Sequence, residues 1–339
     1  MKQPRMGDLP LRPACDWSII SGDSPCPREA SIRPLIIGTR GSALALVQTQ
    51  RVVETLQRKF PRQEFIVQTV KTLGDRVVDI PLSQFGSTGV FVKELDRLLL
   101  DKAIDIAIHS LKDVPPEDVP GLRLTAFPER ADPRDALVSR DNHRFADLPP
   151  GSRIGTSSVR RRAQLRAQRP DLQYLENLRG NVDTRLRKLA QGDYEAIILA
   201  AAGLQRLGRA NEISEYLPVD VCLPDAGQGT LTVQTRADDL DAVAIVSSID
   251  DPSTRAMAEA ERSMLRAFGG GCKVPVAAYA SFVGNTLHLD GLVATPDGTR
   301  IIRASGNGRT DAPEQLGQAV WKKLVVAGAF DVLGEVPSG

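Results

Sequence analysis

One cysteine and one aspartate have surroundings that suit chemistry. Cys272 follows three glycines and precedes Lys273; the glycines leave the backbone free to turn, and a neighbouring cation favours the reactive thiolate. Asp113 follows Lys112 and a predicted strand, which would place its carboxylate at the carboxyl end of a sheet, where α/β proteins bind ligands. Two other interpretations stay open, because a lone cysteine is most often a small buried hydrophobe and an aspartate after a strand often only caps a turn.

Several turns between a predicted strand and a predicted helix carry an arginine beside a hydroxyl or amide side chain. The pairs are Arg40 with Ser42 and Arg179 with Asn181. Helix N-termini present unpaired N–H groups and a partial positive charge, so these turns favour anions. Arg160 and Arg161 follow Ser158 in another such helix. Because neighbouring residues of a helix project from different sides, at least one of these two arginines is expected to face solvent.

Positive charge is concentrated in one segment of the chain. The net charge is only +1, but residues 153–188 carry +7 and the remainder carries −6. A GC-rich genome would also produce the observed excess of arginine over lysine, so position is the better indicator. Tyr174 is the only aromatic residue of that segment, whereas proteins that bind single-stranded nucleic acids usually alternate aromatic and basic side chains. The segment therefore favours a small polyanion, with neither nucleic acid nor a membrane surface as partner.

Composition and length exclude several classes of protein. With 339 residues, 42% hydrophobic, the chain is long enough for two or three globular domains. The longest apolar runs, such as residues 196–204, are too short to span a membrane, and residues 1–34 lack the apolar core of a secretory signal, so a cytoplasmic protein is expected. The cysteines and histidines are too scattered for a disulfide framework or a zinc site, so no metal is predicted. His109 is expected to end a strand without a catalytic role.

The periodicity of apolar residues predicts an α/β fold. Residues 35–39 and 65–70 are predicted strands on either side of a helix over residues 43–60, an arrangement that implies a parallel sheet. Residues 153–206 repeat a strand, a turn and a helix three times, and residues 223–229, rich in proline and glycine, are interpreted as a crossing back to the first unit. The predicted divisions are an irregular extension (1–34), a discontinuous first domain (35–130 plus 229–248), a second domain (131–228) and a third (249–339).

Together these motifs resemble the porphobilinogen deaminase family, the hydroxymethylbilane synthases, from about residue 35 to the end. The matching motifs are GTRGSALALVQ (38–48), FVKELD (91–96), HSLKDVP (109–115), DPRDALVS (132–139), GTSSVRRRAQL (155–165), LRGNVDTRL (178–186), AIILAAAGLQRLG (196–208), GQG (227–229) and GGGCKVP (269–275). The resemblance implies three α/β domains. The first two would resemble a two-lobed periplasmic-binding-protein-like fold, and the smaller third domain, of the α+β type, would carry the cofactor cysteine.

The resemblance also implies a transferase of tetrapyrrole biosynthesis. Such an enzyme deaminates four porphobilinogen molecules, joins them head to tail on a covalently bound dipyrromethane primer, and releases hydroxymethylbilane and ammonia. Cys272 matches the cysteine that holds the dipyrromethane through a thioether. Asp113 matches the catalytic aspartate, which is expected to accept hydrogen bonds from pyrrole N–H groups and to stabilise positive charge as ammonia leaves. Each pyrrole bears two carboxylates, so the growing chain is a polyanion that the +7 segment would bind. A cytoplasmic monomer is expected.

The remaining site residues are matched position by position. The residues that match cofactor-binding positions are Lys112, Ser158, Arg160, Arg161 and Arg185. Those that match substrate-binding positions are Arg40, Ser42, Arg179, Arg206 and, at the hinge between domains, Gln228. The chain departs from the family at Gln84 and Thr88, where a glycine-rich loop usually has lysines, and at Ala43, Asp225 and Thr230. A non-catalytic two-lobed anion-binding protein and a paralogue of low activity are the alternatives.

Overall fold

Residues 33–70, 92–269 and 274–334 are described by the computed structural model of the chain. Cys272, Gln84 and Thr88 lie outside the described residues, as does nearly all of the N-terminal extension, so the predictions made for them remain predictions.

The secondary structure alternates between strands and helices for most of the chain. In chain order the elements are β1 (Leu35–Arg40), α1 (Ala43–Lys59), β2 (Phe65–Val70), α2 (Lys93–Leu100), β3 (Ile106–Ser110), β4 (Leu122–Ala126), β5 (Asp135–Ser139), β6 (Arg153–Gly155), α3 (Val159–Gln168), β7 (Gln173–Leu175), α4 (Val182–Ala190), β8 (Ala196–Ala200), α5 (Ala201–Arg206), β9 (Glu215–Tyr216), β10 (Leu231–Arg236), α6 (Leu240–Ser247), α7 (Pro252–Phe268), β11 (Val276–Val283), β12 (Thr286–Ala294), β13 (Ile301–Gly308), α8 (Pro313–Val326) and α9 (Ala329–Gly334). Single 3₁₀ turns cover Leu111–Asp113 and Ala210–Glu212.

The first sheet confirms the parallel opening predicted from the sequence. Its strand order is β2-β1-β3-β10-β4, with β1 parallel to β2 and β3, and with β10 antiparallel to β3 and β4. Leu35 and Ile37 of β1 are buried against Val52 and Leu56 of α1. Apolar residues two apart on the strand and four apart on the helix place both sets on facing surfaces.

The second sheet repeats the arrangement of the first. Its order is β7-β6-β8-β5-β9; β6 is parallel to β7 and β8, and β5 runs antiparallel between β8 and β9. In each sheet the antiparallel strand next to the parallel set, β5 or β10, enters from the other unit through a crossing segment, residues 127–134 or 217–230. The carboxyl ends of the parallel strands in both units therefore carry the turns that the sequence singled out.

The third unit is smaller. Its antiparallel sheet has the order β11-β12-β13 and packs against α7 and α8. A side chain at Gly317 of α8 would lie 2.5 Å from the carbonyl oxygen of Ala260, so glycine permits the close approach of α7 and α8. The predicted α/β fold with two similar units and a smaller third one is confirmed. No helix in the described ranges is long and apolar enough to cross a membrane.

Candidate active site

Asp113 faces a small cavity at the carboxyl end of the first sheet. The cavity measures about 70 Å³, and its wall includes Arg40 and Ser42 after β1, Gln48 on α1, and Ser110 at the end of β3. Ser42 caps α1, since its hydroxyl accepts a hydrogen bond from the amide of Ala45 at 3.3 Å. The 3₁₀ turn that follows β3 directs Asp113 toward the same space.

The Asp113 carboxylate is held among cations yet resists ionisation. Burial raises its pKa, and Asp225 acts in the same direction, while Lys112, Arg40 and Arg185 oppose the shift without cancelling it. No described residue donates a hydrogen bond to this carboxylate. An acceptor that faces a cavity without a donor is available to an N–H group of a ligand.

His109 lies in the wall of the same cavity. Its Nε2 atom is 2.9 Å from Oε1 of Gln234 on β10. Burial, with a smaller effect from Arg40, lowers the pKa of His109 to about 4, although Gln234 opposes the shift. The imidazole is therefore neutral near pH 7, and the expectation that His109 has no catalytic role stays a prediction.

Arg160 and Arg161 both turn toward one buried carboxylate. The side chains of Arg160, Arg161 and Asp135 are 4%, 8% and 0% exposed. Nη1 of Arg160 lies 2.7 Å from Oδ2 of Asp135, and Nη2 of Arg161 lies 2.7 Å from Oδ1. The expectation that at least one of these arginines faces solvent is wrong, because both guanidinium groups reach Asp135, the first residue of β5. Ser158 caps this helix by accepting from the amide of Arg161 at 3.4 Å.

Asp135 is the residue that the sequence analysis missed. Burial alone would raise its pKa, but Arg160, Arg161 and a hydrogen bond from Gln228 hold the pKa well below its usual range. Asp135 is the first residue of β5, whose other residues are Ala136, Leu137, Val138 and Ser139. A single acid at the start of an apolar strand was the available signal, since a buried carboxylate requires a cationic partner.

Gln228 connects the two units at the crossing. Its Nε2 atom donates to the carbonyl oxygen of Pro133 at 2.7 Å and to Oδ1 of Asp135 at 2.9 Å, and its Oε1 atom accepts from Nζ of Lys112 at 3.4 Å. The side chain is completely buried. The predicted hinge residue therefore lies between the 3₁₀ turn Leu111–Asp113 of the first unit and the buried ion pairs of the second.

Three cations beside the cleft have no carboxylate partner within ion-pair distance in the part of the chain that is described. Burial, together with Arg161, lowers the pKa of Lys112, and the same two causes lower the pKa of Arg185 to about 10. Burial and Arg51 lower the pKa of Arg206 to about 10. Arg185 donates to the carbonyl oxygen of Gly180 at 2.9 Å, and Arg206 to that of Gly229 at 2.6 Å. Arg206 is buried and the other two cations are half-buried, and positive charge withdrawn from water without a described counter-ion favours an anionic ligand.

Arg179 is half-buried in the turn before α4. The next residue, Gly180, has a φ of +97°, and Asn181 caps the helix by accepting from the amide of Thr184 at 2.9 Å. The left-handed conformation is readily available to glycine, so this turn can place Arg179 and Arg185 at the same end of the second sheet.

Matches to known proteins cover most of the chain. A family model described as "Porphobilinogen deaminase, dipyromethane cofactor binding domain" matches residues 35–244, and one described as "Porphobilinogen deaminase, C-terminal domain" matches residues 256–325. The chain belongs to the porphobilinogen deaminase family. Curated relatives named porphobilinogen deaminase include a protein of Brevibacillus brevis, 48% identical over 302 residues (88% of this chain, 96% of the relative), and one of Methylobacillus flagellatus, 47% identical over 305 residues (90% and 98%).

Among solved structures the matches are more distant. The methionine-binding protein MetQ is 12% identical with a TM-score of 0.40 and covers 64% of this chain and 89% of its own. The periplasmic aliphatic sulphonate binding protein SsuA from Escherichia coli is 13% identical with a TM-score of 0.37, and covers 70% of this chain and 71% of its own.

Membership of the porphobilinogen deaminase family confirms the activity and the cofactor expected from the motifs. The chain is a transferase, a hydroxymethylbilane synthase, which polymerises porphobilinogen in tetrapyrrole biosynthesis. The family model names the dipyrromethane cofactor for residues 35–244, which include the Asp113 cavity and all the cations described above.

Proposed function

We propose that the cleft around Asp113 is where this chain joins porphobilinogen units, with Asp113 as the catalytic residue and Cys272 as the thioether attachment point of the dipyrromethane. The observation that carries the proposal is the Asp113 carboxylate, which faces a cavity and has cations on several sides. A carboxylate in that position can accept hydrogen bonds from pyrrole N–H groups and can stabilise the positive charge that develops as ammonia leaves.

The donors in the cleft fit a group that carries several carboxylates. Besides the three cations without carboxylate partners, the buried Nε atom of Arg160 has no hydrogen-bond partner among the residues described. Lys112, Ser158, Arg160, Arg161 and Arg185 would hold the dipyrromethane. When bound, this cofactor supplies the free α-carbon to which the first substrate unit is joined. Asp135 keeps Arg160 and Arg161 in fixed orientations, so that little reorganisation is needed when an anion arrives.

Substrate carboxylates would be bound by residues that lie on the turns of both units. We assign this role to Arg40, Ser42, Arg179 and Arg206, and also to Gln228, whose amide nitrogen would first have to release Pro133 or Asp135. Arginine suits it, because the guanidinium presents a planar pair of donors that matches a carboxylate. With cations on both sides of the crossing, a growing anionic chain can be held between the two units while Asp113 serves each addition in turn.

We also propose a division into domains, a cellular location and an oligomeric state for the chain. Its three sheets favour the division into domains at residues 35–130 plus 229–248, 131–228 and 249–339, after the extension 1–34. The ligand is a small molecule, so we propose a cytoplasmic monomer that binds neither nucleic acid nor membranes.

The test compares two neighbouring aspartates. The purified chain is incubated with porphobilinogen, and tetrapyrrole formation is followed by absorbance after oxidation. Asp113→Asn should abolish product, because an amide cannot stabilise positive charge as a carboxylate does. Asp118→Asn, whose carboxylate is 84% exposed on the same segment, should keep the activity of the unaltered chain. Full activity of Asp113→Asn would overturn the assignment, and an unaltered chain that binds anions without making product would indicate a non-catalytic binding protein.

A further inference from the structure

The crossing between the two units places an additional acid beside the cleft. Asp225 is half-buried in a turn in which the amide of Gln228 donates to the carbonyl oxygen of Asp225 at 2.9 Å. Both flanks of this turn contact cationic residues. The carbonyl oxygen of Leu223 accepts from Nη1 of Arg160 at 2.7 Å, and the side chain of Gln228 accepts from Lys112.

The backbone of this turn lies directly against the 3₁₀ turn Leu111–Asp113. Gly227 has a φ of +75°, and a side chain there would lie 3.0 Å from the amide nitrogen of Lys112 and 2.8 Å from Cγ of Leu111. The crossing therefore packs closely against the 3₁₀ turn Leu111–Asp113 at Gly227, and Asp225 lies two residues earlier in the same turn of the crossing. Its carboxylate forms no ion pair within 4 Å with any described residue, so its charge acts on the cleft through space.

We propose that Asp225 is a positioning residue of the cleft, whose carboxylate sets the electrostatic balance between Asp113 and the surrounding cations and so the pH range in which the enzyme works. This inference rests on the proposed function of Asp113. Asp225 forms no ion pair with Lys112 or Arg160. Its charge acts on these two cations, and on Asp113, through space.

The charges that face Asp113 come from several elements. They are Lys112 on the same turn, Arg40 after β1, Arg185 on α4, and Asp225 on the crossing; Arg161 on α3 faces Lys112 and Arg185. Asp225 adds to the effect of burial in raising the pKa of Asp113. It opposes the effects of burial and Arg161 on the pKa of Lys112. Removing one negative charge should therefore lower the pKa of both groups together.

The test uses Asp225→Asn, which keeps the side-chain volume and removes the charge. For the pH dependence of kcat/KM, we expect the acid limb of the profile to move to lower pH, and any alkaline limb set by Lys112 to move the same way. Asp220→Asn is the matched control, because Asp220 lies in the same crossing, is exposed, and contributes the same unit of charge. A purely structural role for Asp225 would lower the whole profile without moving its limbs, and that result would overturn the inference.

A second measurement is independent of turnover. The full chain is labelled with ¹³C at aspartate carboxyl carbons, and the Asp113 resonance is identified by its loss in Asp113→Asn. Asp225→Asn should move the titration of that resonance to lower pH, and Asp220→Asn should leave it in place. An unchanged Asp113 titration in Asp225→Asn would refute the inference even if the enzyme is active, whereas an unaltered chain without activity would refute the proposed function instead.

Discussion

Replacing Asp135 by asparagine should destabilise the second unit more than any surface change of the same kind. The substitution leaves the guanidinium groups of Arg160 and Arg161 buried without their counter-charge, and weakens the hydrogen bond from Gln228. Breaking a buried ion pair by removing one partner costs about 3–5 kcal/mol. Since each 1.4 kcal/mol corresponds to about a tenfold change in an equilibrium constant, the opening of this unit should become roughly two to four powers of ten more frequent.

Hydrogen exchange of the amides in β5, β6 and β8 measures this opening directly, because these strands form the centre of the second sheet. Asp171→Asn is the matched control: Asp171 also accepts two hydrogen bonds from one arginine, Arg169, but on the surface, so its loss should leave the exchange nearly unchanged.

The pH dependence of this effect has a definite sign. The folded-state pKa of Asp135 lies below its unfolded value, so the stability that it contributes is present above the unfolded pKa, about 3.9, and is lost as the pH falls through the folded value. The difference between the original chain and Asp135→Asn should therefore shrink in acid. If Asp135→Asn and Asp171→Asn exchange alike at pH 7, the ion pairs do not stabilise the unit as argued.

The same contacts support three further predictions. The pKa of Asp113 is raised in the folded chain, so the stability linked to its protonation is present below the unfolded pKa, about 3.9, and is lost as the pH rises through the folded value; Asp113→Asn should therefore raise the melting temperature more at pH 8 than at pH 4. Gly229→Ala places a side chain 2.5 Å from the carbonyl oxygen of Ala131 at a φ of +84°, and should cost about 1–3 kcal/mol in urea unfolding, more than Gly208→Ala, which meets nothing within 4 Å. Arg185→Gln should leave the melting temperature almost unchanged but reduce the fraction of protein found by mass spectrometry with bound pyrrole chains.

Much of the fold could be predicted because its strands and helices have the periodicity of buried surfaces. The predicted helix over residues 43–60 is α1, and the three helices predicted in residues 153–206 are α3, α4 and α5. β10 was not predicted as a strand. All six of its residues are buried although three are threonine or glutamine in its interior, because Gln234 bonds to His109 and Thr235 to Thr125. When buried polar side chains form hydrogen bonds with residues far along the chain, the strand shows no apolar pattern in the sequence.

The candidate site could likewise be predicted only in part. Asp113, Lys112 and the capped turns could be found from local sequence, because each follows a strand and precedes a helical turn. The pairing of Asp135 with Arg160 and Arg161 joins residues 25 and 26 positions apart, and depends on how β5 crosses from the other unit. Local sequence does not reveal such a contact. The sequence therefore indicated ligand binding for both arginines but did not identify Asp135 as their partner. Their assignment as cofactor-binding residues stays a prediction.

We propose that this chain carries a dipyrromethane on Cys272 and extends it at Asp113. The most direct measurement is the intact mass of the purified chain beside that of Cys272→Ser. We expect the unaltered chain to carry the added mass of two linked pyrrole rings and Cys272→Ser to lack it, and we expect incubation with porphobilinogen to add further pyrrole units only to the former. An unaltered chain whose mass is that of the polypeptide alone, both before and after porphobilinogen, would refute the proposal.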